Sequence, residues 1–169
     1  MDMCKRLIAS GIQVIPSVNL DGTLAYPPGT TPAQISAVVS ALGGDNLHLL
    51  AAKDQAYSRV SQACQVAIES GITSSALGSA YTYPTDKVSQ LNLSGEVSAA
   101  ILSGPAGAYA FMCADGAGAW ARRPHTDAQI KQVGLDVRAH VKLHLDHLDN
   151  LRGQIAAAQT AMDADAIVW

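Results

Sequence analysis

The stretch TDAQIKQVGLDVRAHVKLHLDHLDNLRGQIAAAQ, residues 126–159, decides the fold. Thr126 stands where an N-cap belongs, and Gln129 three residues on completes a capping box. From there Ile130, Val133, Val137, Val141, Leu145, Leu148, Leu151 and Ile155 recur at spacings of three and four, the period of a helix with one apolar stripe. The pattern predicts a single helix of about 34 residues, ~51 Å long at 1.5 Å per residue. A helix longer than a small domain is wide needs a long partner.

Upstream, residues 46–70 supply one: Leu47, Leu50, Asp54, Tyr57, Val60 or Ser61, Cys64 and Ile68 follow helical spacing, and Gly71 is placed as the stop. Residues 72–85 are rich in Ser, Thr, Gly and Tyr and read as loop, with a short extended piece at Tyr81 to Tyr83. A further helix is predicted over 86–102, carrying Val88, Leu91, Val97 and Ile101 and ending before Gly104-Pro105. Ala108 to Ala114, the turn Asp115-Gly116-Ala117-Gly118 and Ala119 to Arg123 read as a β-hairpin.

Toward the N-terminus, Ile12 to Val18 has strand chemistry interrupted by Pro16, which fits an edge strand or extended arm. Asp21-Gly22 marks a turn, and Thr31-Pro32-Ala33-Gln34 opens a short helix, about 32–42, stopped by Gly43-Gly44. The expected fold is mostly α, of the α+β class: a long antiparallel helical hairpin with a small head containing a short β-hairpin, preceded by an extended N-terminal arm. The arm with its short helix takes residues 1–45, the helical domain 46–160 with its head at 72–125, and a C-terminal tail 161–169. Helix, arm and tail all stay open for those last residues.

The chain has 169 residues, 49 % of them hydrophobic but only 15 % charged, against the ~25 % charge of ordinary soluble domains. Ala and Gly supply much of the apolar count, so the surface is weakly hydrated and suited to packing on other chains. A net charge of −3 and no basic run beyond Lys5-Arg6 and Arg122-Arg123 exclude nucleic acid as the expected partner. No apolar run approaches the ~20 residues of a membrane span, and the N-terminus lacks the pattern of a secretory signal. A soluble chain made in the cytosol is expected. Cys4, Cys64 and Cys113 form neither a CxxC pair nor an even framework, and Cys64 and Cys113 read as small buried hydrophobes.

His140, His144 and His147 are the metal candidates, since spacings of four and three put their rings on one side of the last helix. With Ile130 at zero and 100° per residue they fall at about 280°, 320° and 260°, so that His144 lies within the apolar stripe, which takes about 300° through 60°, and the other two border it. The plainer alternative is a polar strip beside a helix seam. Ser74, Ser75 and Ser79 lie outside any GxSxG frame and serve turns and caps. Glu69 and Glu96 are the only glutamates, and neither has an aromatic sugar platform beside it in the helical patterns, so paired-carboxylate glycosidic cleavage is not expected. The sequence predicts no enzyme and no cofactor. Tyr57, Tyr81, Tyr83, Tyr109, Phe111 and Trp120 gather around the head, as its core or as a contact surface; Tyr81, Tyr83, Trp120 and the terminal Trp169 are the interaction candidates.

Between these elements run short words that no single helix or strand requires. They are Ala63-Cys64 with Ala67-Ile68, Gly71-Ile72, Ser74-Ser75-Ala76-Leu77-Gly78-Ser79, Tyr81, Tyr83-Pro84 and Gln90-Leu91-Asn92-Leu93, then Phe111, Cys113, Asp115, Trp120, His125-Thr126, Gln129-Ile130 and Val133-Gly134. Their order resembles a small C-terminal domain of unknown function found in tail and tail-fibre proteins of tailed bacteriophages, over roughly residues 55 to 157. The resemblance implies a structural component of a phage tail, in the fibre, baseplate or fibre attachment. Its partners would be other phage tail subunits and further copies of itself, a trimer favoured. Its place would be the virion tail, after synthesis in the host cytoplasm. Two other readings are a tail-fibre assembly chaperone that leaves before the virion matures, and a metal-binding helical protein built on His140, His144 and His147. In the structural reading, the part of the long apolar stripe that the second helix cannot cover passes to another chain.

Overall fold

The computed structural model describes residues 11–13, 16–18, 24–42, 47–103 and 108–169. Cys4, Lys5-Arg6, the Asp21-Gly22 turn and the stops expected at Gly43-Gly44 and Gly104-Pro105 lie outside them. The fold is α+β: helices with a small antiparallel sheet of four strands. The chain divides into two units, Met1–Gln62 with Leu148–Trp169, and Ala63–His147. Both long helices, α2 (Leu47–Glu69) and α4 (Asp127–Ala157), contribute residues to each unit.

In the first unit β1 (Ser17–Val18) pairs antiparallel with β2 (Leu24–Ala25). Helix α1 (Pro32–Leu42) begins with the expected reciprocal cap: Gln34 Oε1 accepts from the Thr31 backbone N–H at 2.8 Å, and the Gln34 N–H donates to Thr31 Oγ1 at 3.3 Å. Its Val38 is fully buried against Ile12, Leu24, Tyr26, Ala41 and Leu50. Along α2 the buried positions are Ala51, Ala52, Ala56 and Val60, and along the end of α4 they are Leu148, Leu151 and Ile155. Between the two helices, Lys53 Nζ donates to Ala156 O at 2.9 Å and Tyr57 Oη to Arg152 O at 3.4 Å.

The last residues, left open by the sequence, form α5 (Ala161–Asp165), with Thr160 and Asp163 making a capping box. Ala164 packs on Ala52 and Ala158, and Arg59 Nη2 donates to the Asp165 and Ile167 carbonyls at 3.1 and 2.9 Å. Carbonyls at a helix end have no intrahelical partner, so a cation there both bonds them and meets the helix dipole.

The second unit carries the sheet, in order β3 (Ile72–Ser74), β4 (Tyr81–Tyr83), β5 (Tyr109–Ala114), β6 (Trp120–His125), all antiparallel. The β5–β6 hairpin closes at Asp115, whose Oδ1 accepts from the Ala117 and Ala119 N–H groups at 3.0 Å each. Residues 72–85 are not all loop: Ile72, Thr73 and Ser74 pair with Tyr83, Thr82 and Tyr81. Three residues are too few to show a period of two, which is why the sequence hid this strand.

Gly71 ends α2 at φ +90°, where a Cβ would stand 3.0 Å from Tyr83 O. Its N–H donates to the buried Thr85 Oγ1 at 2.7 Å, tying the helix end to the sheet. The core joins Tyr83, Phe111 and Cys113 of the sheet to Leu93 and Ala100 of α3 (Lys87–Ser103) and Ile130, Val133 and Val137 of α4.

Two expectations about helix faces change. On α3 the buried face is Leu93 and Ala100 with half-buried Val97, whereas Val88, Leu91 and Ile101 are 66 %, 73 % and 66 % exposed. The helix is apolar on both sides, and the side with the smaller residues meets the sheet and α4. The long stripe of α4 is also covered by this chain: Ile130, Val133, Val137, Leu148, Leu151 and Ile155 are buried, Val141 is half-buried, and Leu145 alone of the eight is exposed. The stripe therefore does not itself demand another chain.

At Gly134 of α4 a Cβ would meet Val97 Cγ2 at 2.9 Å. Gly134→Ala adds about 1 kcal/mol of helix propensity but overfills this contact at a cost of about 1–3 kcal/mol. Urea unfolding is expected to show a net loss of stability. In a Val97→Ala background the same change becomes stabilising, and the coupling appears in a double-mutant cycle.

Candidate functional site

Polar groups inside the second unit are matched to one another. Tyr83 has no solvent exposure and His125 only 2 %. The Arg123 carbonyl, 2.9 Å from His125 Nδ1, can only accept, so Nδ1 carries the proton and Nε2 accepts from Tyr83 Oη at 2.9 Å. Burial raises the Tyr83 phenol far above its usual value, with Cys113 next in effect, so it stays a neutral donor. Ser74 Oγ donates to Asp136 Oδ2 and accepts from the Ala76 N–H, while Gln132 donates to Asp136 Oδ1. Serine, histidine and aspartate are thus held in two closed pairings, Tyr83 with His125 and Ser74 with Asp136. The first of these pairings escaped sequence reading because Tyr83 and His125 lie 42 residues apart, and no local spacing joins them.

The three histidines of α4 do not converge on a shared point. His140 Nε2 donates to the Ala67 and Ile68 carbonyls at the end of α2, at 3.1 and 3.2 Å. The His144 ring stands edge-on to it, centroids 4.5 Å apart, and His144 O receives the Cys64 thiol at 3.6 Å. Burial, then His140, then His147 hold the His144 imidazole below its ordinary pKa of 6.5. Among the described residues no group of three or more His, Cys, Asp or Glu is placed to hold a metal ion, and no helix is long and apolar enough to cross a membrane.

The four interaction candidates separate. Tyr83 lies in the core, one of the two places the sequence left open for the head aromatics: its ring stacks on Phe111 at 6.5 Å between centroids and its hydroxyl is spent on His125. Tyr81 is half-buried beneath the Arg123 guanidinium, 5.2 Å from the ring centroid, with Arg123 held by Asp115 at 2.8 Å. Trp169 is half-buried and belongs to the first unit. Trp120 is 53 % exposed.

Trp120 opens onto a groove of about 710 Å³ between α3 and the β5–β6 hairpin. Leu91, Asn92, Gly95, Glu96 and Ala99 line it from the helix, and Met112, Trp120 and Arg122 from the hairpin. Met112 lies directly opposite Arg122 in the ladder, and β5 alternates buried Tyr109, Phe111 and Cys113 with more open Ala110 and Met112. That alternation was the available signal for Met112 and Arg122. The fold brings Trp120 to the same groove as Glu96.

Tyr83→Phe keeps the ring but leaves His125 Nε2 buried without its donor, and is expected to cost about 1–3 kcal/mol in chemical unfolding. The His144 shift has a definite sign. The unfolded state takes up its proton first on acidification, so this contribution is complete above about pH 6.5 and is lost as pH falls through the lower folded value. The denaturation midpoint should drop as pH falls below about 6.5, and His144→Gln should flatten that slope.

No curated protein and no solved structure matches the chain. A family model described as Domain of unknown function (DUF4376) matches residues 51–168, well over half of the chain and all of the second unit. The chain belongs to the DUF4376 family.

Proposed function

We propose that this chain is a structural component of a bacteriophage tail, in the fibre, baseplate or fibre attachment, that works through protein–protein contacts and not by catalysis. In this reading α2 and α4 form a long antiparallel helical hairpin, residues 72–125 are its head, and the residues before 46 are an extended N-terminal arm. Other tail subunits and further copies of the chain, as a homotrimer, are the partners, and the virion tail is the location after synthesis in the host cytoplasm.

One observation carries the reading. At about 100° per residue, Val88, Leu91, Gly95 and Leu102 fall within about 60° of each other on the side of α3 opposite the core. Leu91 and Leu102 are 73 % and 86 % exposed. An apolar row of this kind on a weakly charged chain marks a surface that another protein covers. The order of the short sequence words supports the tail assignment, and the closed pairings of Ser74, Asp136, Tyr83 and His125 support a non-enzymatic role.

Sedimentation velocity of the purified chain tests this. Self-association is expected, and Leu102→Glu should weaken it by about tenfold or more without changing the circular dichroism spectrum. A monomer at every concentration would remove the homo-oligomer. Mass spectrometry of purified virions separates a resident component from an assembly chaperone that departs.

A further inference from the structure

The geometry points to the groove beside Trp120 as a binding site for a short, neutral oligosaccharide. This assignment does not depend on the tail reading. The groove's volume, about 710 Å³, falls within the range of small-ligand sites, and the chemistry of its walls selects the occupant. Glu96 and Asn92, one turn apart on α3, make no hydrogen bond or ion pair among the described residues. Arg122, facing them from β6, donates one bond to Ala110 O at 2.9 Å and has further donors to offer. Glu96 and Arg122 are not paired with each other.

Apolar side chains laid here would strip water from a carboxylate, an amide and a guanidinium while replacing none of their hydrogen bonds. A saccharide replaces them all. Its hydroxyls donate to Glu96 and to Asn92 Oδ1, and its oxygens accept from Asn92 Nδ2 and Arg122. The apolar C–H face of a sugar ring covers the exposed Trp120 indole, with Met112 and Gly95 beside it. Opposite charges on the two walls offset each other, which suits a ligand of no net charge. Glu96 is the single carboxylate in the groove, and cleavage of a glycosidic bond uses two, so the site binds sugar without hydrolysing it.

Trp120 and Trp169 are the only tryptophans, so Trp169→Phe makes Trp120 the sole indole reporter. That protein is titrated with maltotriose, mannotriose, lactose and chitotriose, the unaltered chain is titrated with the same sugars by calorimetry, and both are applied to an array of neutral and acidic glycans. Saturable binding of at least one neutral sugar is expected, with a matching change in Trp120 emission. Glu96→Gln and Trp120→Ala should each weaken it by about tenfold or more, and Lys142→Ala, on α4 and absent from the groove, should not. Absence of saturable binding to every glycan overturns the assignment. So does binding that survives both groove substitutions, or a Trp120 emission change that follows protein concentration alone and is unaffected by sugar.

Discussion

The full burial of Tyr83, with its hydroxyl bonded to His125, is the constraint on which the second unit depends. Tyr83 ends β4, the short strand between β3 and β5. Its ring stacks toward Phe111, and its carbonyl is approached so closely by Gly71 that a side chain there has no room. A buried phenol needs a partner, and His125, at the far end of β6, becomes that partner by holding its own proton against the Arg123 carbonyl. One hydrogen bond thus joins β4 to β6 across β5. The same economy recurs at Ser74 and Asp136.

Helix α3 is apolar on two opposite sides, and the protein uses only one of them. Leu93, Val97 and Ala100 meet the sheet and α4, where Gly134 makes room for Val97. Leu91 and Leu102 stay in solvent, and the polar residues Asn92 and Glu96 stand between the two apolar sides. An outward apolar row calls for a protein surface, whereas uncommitted amide, carboxylate and guanidinium groups around an indole call for a hydroxylated ligand. The two features overlap at Leu91 and Gly95, so a partner chain on α3 and a sugar in the groove would meet on the same side of one small unit.

Much of the secondary structure was legible because it is written in local chemistry. Thr31 with Gln34 and Thr126 with Gln129 form the reciprocal caps their spacing predicts, Gly71 takes the positive φ of a helix stop, and Asp115 nucleates the hairpin turn. Features that depend on tertiary choice were not legible. Which side of α3 faces inward cannot be read from a helix with two apolar sides. Tyr83 and Trp120 both looked like contact aromatics, and only the sheet register sends one into the core and leaves the other outside. The α4 stripe looked too long for one chain, yet only Leu145 of its eight members is exposed. The groove unites α3 with a hairpin some 20–30 residues further along the sequence, a proximity no local pattern encodes.

The account centres on the outward side of α3 being a surface that another chain covers. Hydroxyl-radical footprinting read by mass spectrometry, carried out on the protein from dilute to concentrated solution, addresses that side chain by chain. The account predicts that Leu91 and Leu102 lose reactivity together as concentration rises. Unchanged, high reactivity at both leucines across the whole range would contradict it.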